Sequence, residues 1–266
     1  KYKWEKAIKS VTSTCPHCPI GCQINLEVDS KDRIIRASGD WSSETNLGQL
    51  CYKGKFGLDY VNHKSRLRTP LIRRNGNLEE ATWEEALESI AAQLPSHFGD
   101  QFAFLLTPHA TNEEAYTAQK FTRLLMKTNN VDITSNVNPG LFTPLMKSLG
   151  ISSSTGTLQD LEHSSSVLIV NSNTTEDHNV AAIPIKKGHK SGTLKLIVID
   201  SREVELSRYS DIWLRPYPGT EATLIAGILK VIIEEALTNS EFIENRCENF
   251  DTLKDSVSQF SFEDVE

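Results

Sequence analysis

No stretch of this 266-residue chain approaches the ~20 consecutive apolar residues that cross a bilayer, so no membrane span is expected. The first residues, Lys1-Tyr2-Lys3-Trp4, have no apolar run of the kind a secretory signal carries. The chain does not begin with Met, so its start is read either as trimmed or as preceded by further residues. A basic patch or stripe is also missing from a chain of formal net charge -7, which leaves nucleic acid out as an expected partner. There is no internal repeat. Cysteine is scarce and odd in number: five residues, four of them within the first 51 positions. An odd, clustered set without a secretory signal argues against a disulfide framework. It argues for metal binding in a reducing compartment, which we take to be cytoplasmic. The fifth, Cys247, stands alone in the charged stretch Glu244-Asn245-Arg246-Cys247-Glu248 and reads as an incidental thiol.

What remains is an ordinary globular composition, with 38% hydrophobic and 24% charged residues. Residues 1–60 read as a small unit. Gln23 to Val28 alternates polar and apolar, Arg33 to Ala37 is a second short apolar run, and Ser30-Lys31-Asp32 can turn the chain between them, so a β-hairpin is expected. Such a unit buries little apolar surface, and a metal centre commonly makes up the deficit.

From Thr69-Pro70 onward, helices and strands alternate. Thr82 with Glu85, and Thr111 with Glu114, form capping boxes that open helices. The first helix carries Trp83, Leu87 and Ile90 on one face, the second Ala118, Phe121 and Leu125. Buried strands are expected at Phe102–Leu106, Val167–Val170 and Leu194–Ile199, with a short one at Asp211–Leu214 and helices near Asn179–Lys190 and Thr220–Leu237. Residues 133–160 read mainly as loop, with one helical turn around Leu145 to Leu149. The fold class is therefore α/β: a small β-rich N-terminal domain over 1–60, then a mostly parallel α/β sheet domain over 61–266, covered on both faces.

The chemistry sits in Cys15-x2-Cys18-x3-Cys22 and, after a long gap, Cys51. A cubane cluster takes four thiolates; three can come from one loop, and the fourth must come from a segment that returns. Pro16, Pro19 and Gly21 keep that loop tight and non-helical. A structural zinc site is the alternative, but it usually shows two short pairs of ligands rather than a triplet and a distant fourth. His17 could replace a thiolate, though Cys15 and Cys18 already occupy its loop. Lys53, directly after the fourth cysteine, is either a cation that tunes a cluster or a solvated surface lysine.

Cys15-Pro-His-Cys-Pro-Ile-Gly-Cys22 and Cys51-Tyr-Lys-Gly-Lys-Phe-Gly57 resemble the N-terminal iron–sulfur domain of molybdopterin oxidoreductases, in particular the formate dehydrogenase alpha subunit. The large iron–sulfur subunit of respiratory NADH dehydrogenase is a related branch. Further stretches are similar to the formate dehydrogenase branch: Arg66-Leu-Arg-Thr-Pro-Leu-Ile72, Ala110-Thr-Asn-Glu-Glu114, Asn129-Asn-Val-Asp132, Asn171-Ser-Asn-Thr-Thr-Glu176 and Pro218-Gly-Thr-Glu221.

The resemblance implies a [4Fe–4S] cluster on Cys15, Cys18, Cys22 and Cys51, with Lys53 as electron relay toward a molybdopterin guanine dinucleotide. It implies that Asn173, Glu176, Asp200, Arg202, Gly219 and Glu221 bind that dinucleotide. Partners would be other redox subunits carrying iron–sulfur clusters or flavin. In formate dehydrogenases a cysteine or selenocysteine metal ligand, then a histidine, follow Asn-Asn-Val-Asp; here those positions fall on Asn138 and Pro139. Asn has no thiolate to offer a metal, and Pro cannot carry a proton. Family members are also far longer. The expected function is thus an electron-transfer subunit or domain of a redox complex. The alternative is the N-terminal part of a catalytic molybdenum or tungsten bis-pterin enzyme of the formate dehydrogenase type.

Overall fold

The computed structural model describes residues 7–134, 139–263 and 265. It divides into two compact units, Lys1–Thr157 and Leu158–Glu266.

The first unit opens with a three-stranded antiparallel sheet of β1 (Lys9–Thr14), β2 (Gln23–Val28) and β3 (Ile34–Gly39) in that order. The expected hairpin is β2–β3; β1 is an additional strand. Ile24, opposite Ser13 on one side and Gly39 on the other, is 1% exposed, and Ala37 of β3 is buried with it. The β2–β3 turn is held by Asp29. Its carboxylate accepts the backbone N–H groups of Lys31 (2.9 Å) and Arg33 (3.0 Å) and the Arg33 guanidinium. Asp32 can then sit at φ +55°.

A short helix, α1 (Tyr52–Phe56), follows Cys51. Next comes a hairpin that sequence reading did not anticipate, β4 (Leu71–Arg74) with β5 (Asn77–Glu80). Its two-residue turn Asn75-Gly76 has positive φ at both positions, +50° and +87°, as a type I′ turn demands. Both capping boxes form as expected, at the starts of α2 (Trp83–Gln93) and α3 (Asn112–Leu124). Strand β6 (Phe104–Leu106) pairs in parallel with β7 (Val131–Ile133). The burial expected of the Phe102–Leu106 strand is not met at Leu105, which is 69% exposed, and the apolar face of α2 is open too, with Trp83, Leu87 and Ile90 70%, 58% and 53% exposed. A two-stranded sheet is too narrow to bury both of its faces. The stretch expected to be mostly loop holds an eleven-residue helix, α4 (Pro139–Leu149). Leu141, Leu145, Met146 and Leu149 recur there at helical spacing, a signal obscured by the Ser- and Gly-rich run that follows.

The second unit runs α5 (Leu158–His163), β8 (Ser166–Val170), α6 (Thr174–Asp177), α7 (Asn179–Ser191), β9 (Lys195–Ile199), β10 (Ile212–Leu214), α8 (Glu221–Glu234), α9 (Ser240–Arg246) and α10 (Phe250–Ser258). The three strands are parallel, in the order β10-β9-β8. The core gathers Val167, Ile169, Leu194, Leu196 and Val198 with Ala182 and Ile185 of α7, and Val204 and Leu206. Each fully buried aliphatic side chain contributes about 1.5–3 kcal/mol. Gly188 lets α7 lie on the chain, since a Cβ there would stand 3.0 Å from Leu194. The α/β class is as expected; among the described residues the parallel strands form two short sheets, one in each unit, rather than one. Among the described residues no helix is long and apolar enough to cross a membrane.

Candidate functional site

The β1–β2 connection carries three of the four cysteines. Cys15 directly follows β1 and Cys22 directly precedes β2, and a backbone bond from Cys15 N–H to Cys22 O (2.8 Å) closes the loop at its base. Inside it, Gly21 N–H reaches Cys18 O (3.3 Å), with Gly21 at φ +66°. Cys51 stands at the N-cap of α1 with extended backbone. All four are free thiols; Cys15 and Cys22 are buried, Cys18 and Cys51 partly so. Burial pushes the Cys22 thiol up to about 11, reinforced by the charges of Cys18, Cys15 and Cys51. Burial likewise raises Cys15, against which the His17 backbone N–H donates to its sulfur. Cys22 and Cys15 therefore each lie within electrostatic reach of the other three thiols.

Among the described residues, no three His, Cys, Asp or Glu side chains close around a single metal ion. Four neighbouring thiols, two of them buried, match the four-thiolate donor set that a cubane cluster takes.

Two residues that sequence reading missed assemble this site. Asn46 is 3% exposed. Its Oδ1 accepts Gln23 N–H (2.9 Å), and its Nδ2 donates to Gln23 O (3.2 Å) and Gln49 O (2.8 Å). This clamp ties the chain just before Cys51 to the residue just after Cys22. A single Asn in a polar loop carries no pattern that would have disclosed it. Gly54, buried in α1, would place a Cβ 3.4 Å from Cys15 Sγ, so its bare backbone lets α1 lie against the cysteine loop. Cys-x-x-Gly is a visible spacing whose steric meaning shows only in three dimensions. Lys53 of the same helix is exposed. His17 has an Nε2 that is buried without a hydrogen-bond partner, and its ring stands edge-on to Tyr60 at 6.3 Å.

The other expected binding residues collect in the second unit, beyond the carboxyl ends of its three parallel strands, where open α/β sheets bind ligands. Asn173 and Glu176 follow β8, with Asn173 as N-cap of α6. Asp200 and Arg202 follow β9, and Gly219 and Glu221 follow β10. Asp200 is 1% exposed. Its Oδ1 accepts Arg202 N–H (2.8 Å), while its Oδ2 is buried without a partner. The Glu221 carboxyl is held below its ordinary value by its own backbone N–H, by the Asn171 side chain and by Gly219 N–H, the last at 3.1 Å. The Asn171–Glu221 contact joins the loops after β8 and β10. A Cβ at Gly219, φ +89°, would meet nothing within 4 Å, so this edge is open. An unpartnered carboxylate oxygen and an open glycine turn suit a sugar hydroxyl and a planar base. Asn138 lies outside the described residues, and of Pro139 only its place at the start of α4 is described.

Residues 66–244 match the family described as Molybdopterin oxidoreductase, and residues 8–63 match the Molybdopterin oxidoreductase Fe4S4 domain. The chain belongs to the molybdopterin oxidoreductase family. It matches both that family's Fe4S4 domain and its molybdopterin domain. Two curated relatives are the F420-dependent formate dehydrogenase 2 subunit alpha of Methanococcus maripaludis, 38% identical over 96% of this chain, and the F420-dependent formate dehydrogenase subunit alpha of Methanocaldococcus jannaschii, 37% identical over 95%. The chain spans 38% and 37% of the length of those relatives. Acetylene hydratase from Pelobacter acetylenicus shares the fold at TM-score 0.73 and 24% identity, over 97% of this chain and 36% of that one.

Proposed function

We propose that this molybdopterin oxidoreductase chain conducts electrons within a formate dehydrogenase-like complex, through one [4Fe–4S] cluster held by Cys15, Cys18, Cys22 and Cys51. The observation that carries the proposal is the group of four free thiols, two of them buried, that the β1–β2 loop and the start of α1 bring together. When bound, the cluster supplies a one-electron centre. The chain's own residues supply the thiolates, exclude water at Cys15 and Cys22, and set Lys53 on the helix that begins at Cys51. We assign Lys53 as the relay between this centre and an acceptor beside it. In this reading residues 1–60 form the iron–sulfur domain and 61–266 the dinucleotide-binding domain, a boundary supported by the break between the two family matches at residues 63 and 66. Partners are redox subunits bearing iron–sulfur clusters or flavin, and the free thiols favour the cytoplasm.

A second reading, a catalytic molybdenum or tungsten centre of the chain's own, is favoured by the arrangement beyond β8, β9 and β10. There Asn173 and Glu176, Asp200 and Arg202, and Gly219 and Glu221 would hold a pterin guanine dinucleotide, with Asp200 Oδ2 free to accept a ribose hydroxyl. Against it stands Asn138 at the position of the metal-binding cysteine or selenocysteine. Metal analysis of the native assembly separates the two. The relay reading expects about four irons from this chain and neither molybdenum nor tungsten. Stoichiometric molybdenum or tungsten, with the cluster reduced by formate, would establish the catalytic reading instead. Lys53→Ala at full iron content slows cluster reduction only if Lys53 is the relay.

A further inference from the structure

The carbonyl of Pro16 and the N–H of His17 belong to one peptide group, and its two ends have different partners. His109 Nδ1 lies 2.7 Å from Pro16 O. A carbonyl only accepts, so Nδ1 carries the proton and donates. At the other end the His17 N–H donates to Cys15 Sγ. His109 stands on the connection between β6 and α3, two residues before the Thr111 cap. Among the described residues, its bond is the one that enters the Cys15–Cys22 loop from a distant segment; the backbone bonds Cys15 N–H to Cys22 O and Gly21 N–H to Cys18 O are internal. Pro16 and Pro19 have no N–H to add.

We propose that His109 is a positioning residue that tunes the reduction potential of the cluster through the Pro16–His17 peptide, which relays its hydrogen bond to Cys15. This rests on Cys15 being a cluster ligand. Hydrogen bonds in series polarise one another, by about 10–30% per bond. Donation onto the Pro16 carbonyl draws electron density from the amide nitrogen and makes the His17 N–H a better donor to sulfur. Hydrogen bonds to cluster sulfurs set the potential, and they favour the reduced, more negative state. His109 also fixes the plane of the peptide and so aims the N–H at Sγ. A residue that merely braced the loop would affect folding and iron retention but leave the potential unmoved.

The test is a redox titration of the full holo-protein, read by the EPR signal of the reduced cluster, for wild type, His109→Ala and His109→Gln. The expected result for His109→Ala is wild-type iron content with about threefold less reduced cluster at a fixed potential. That is a downward shift of about 30 mV, at 59 mV per decade for one electron. In His109→Gln, whose amide N–H reaches the same carbonyl, most of the shift is recovered. Full iron with unchanged potential and spectrum in His109→Ala would overturn the proposal, as would a shift in His109→Gln as large as in His109→Ala. If His109→Ala loses iron, the comparison moves to His109→Gln against His109→Met, similar in size but without a donor. A lower potential in the Met variant supports the proposal, and equal potentials overturn it. A wild-type protein without iron would instead overturn the ligand assignment, which the iron assay reads separately.

Discussion

The backbone of Gly54 lies directly against the sulfur of Cys15: a Cβ at Gly54 would stand 3.4 Å from Cys15 Sγ, and equally close to Leu50 Cδ2. That is ordinary contact at its tight limit, so one methyl fits and a branched side chain does not. Gly54→Ala is expected to keep its iron, whereas Gly54→Val loses most of it because the side chain occupies space beside the ligand. Iron per chain after reconstitution checks both. A Val variant with full iron would place the cluster elsewhere.

Asn46 makes three hydrogen bonds from a buried position, two of them to the backbone of Gln23. Asn46→Ala is expected to destabilise the first unit by on the order of 2–4 kcal/mol, because the backbone groups of Gln23 and Gln49 lose their partner. The cluster becomes labile with it, since the clamp holds the segment before Cys51 next to Cys22. Denaturant melts and the rate of iron loss to a chelator measure the two effects.

Burial and three neighbouring thiols hold the Cys22 thiol up at about 11, against an ordinary value of 9.0. In the metal-free protein Cys22 therefore stays protonated and slow to alkylate at neutral pH, while exposed Cys247 is accessible to the reagent. Because the folded value is raised, the stability this group contributes is complete below pH 9.0 and declines as pH rises toward about 11. Site-resolved alkylation by mass spectrometry across pH tests the first statement, and melts of the metal-free protein over that window test the second.

Asp29 titrates in the opposite sense. The Arg33 side chain, helped by the Arg33 and Lys31 backbone N–H groups, holds its carboxyl down at about 2, against an ordinary 3.8. Its contribution to the β2–β3 turn is present above pH 3.8 and is lost as pH falls toward about 2. Asp29→Asn should remove that acid dependence, and thermal melts from pH 5 to pH 2 would show it.

The features legible in the sequence were those that depend on short spacings. The cysteine triplet, the β2–β3 hairpin and the Thr82 and Thr111 caps are each defined within a few residues. Strand β1 escaped because Lys-Ser-Val-Thr-Ser-Thr has a single strong apolar residue, and pairing with β2 rather than burial makes it a strand. The Asn75-Gly76 turn is likewise a short-range hairpin signal. Asn46 and His109 were not legible at all, because each acts on a segment far along the chain: Asn46 on Gln23, His109 on Pro16. Trp83, Leu87 and Ile90 share a face, as their spacing says, but are exposed, because helical spacing does not say whether anything covers that face.

The central claim is that four cysteines hold one four-iron cluster. The direct measurement is iron content together with the EPR spectrum of the dithionite-reduced protein, for wild type and Cys51→Ala. The account predicts about four irons per chain in wild type, with the signal of a reduced [4Fe–4S] cluster, and loss of both in Cys51→Ala. One zinc per chain in wild type, or full iron and an unchanged spectrum in Cys51→Ala, would contradict it.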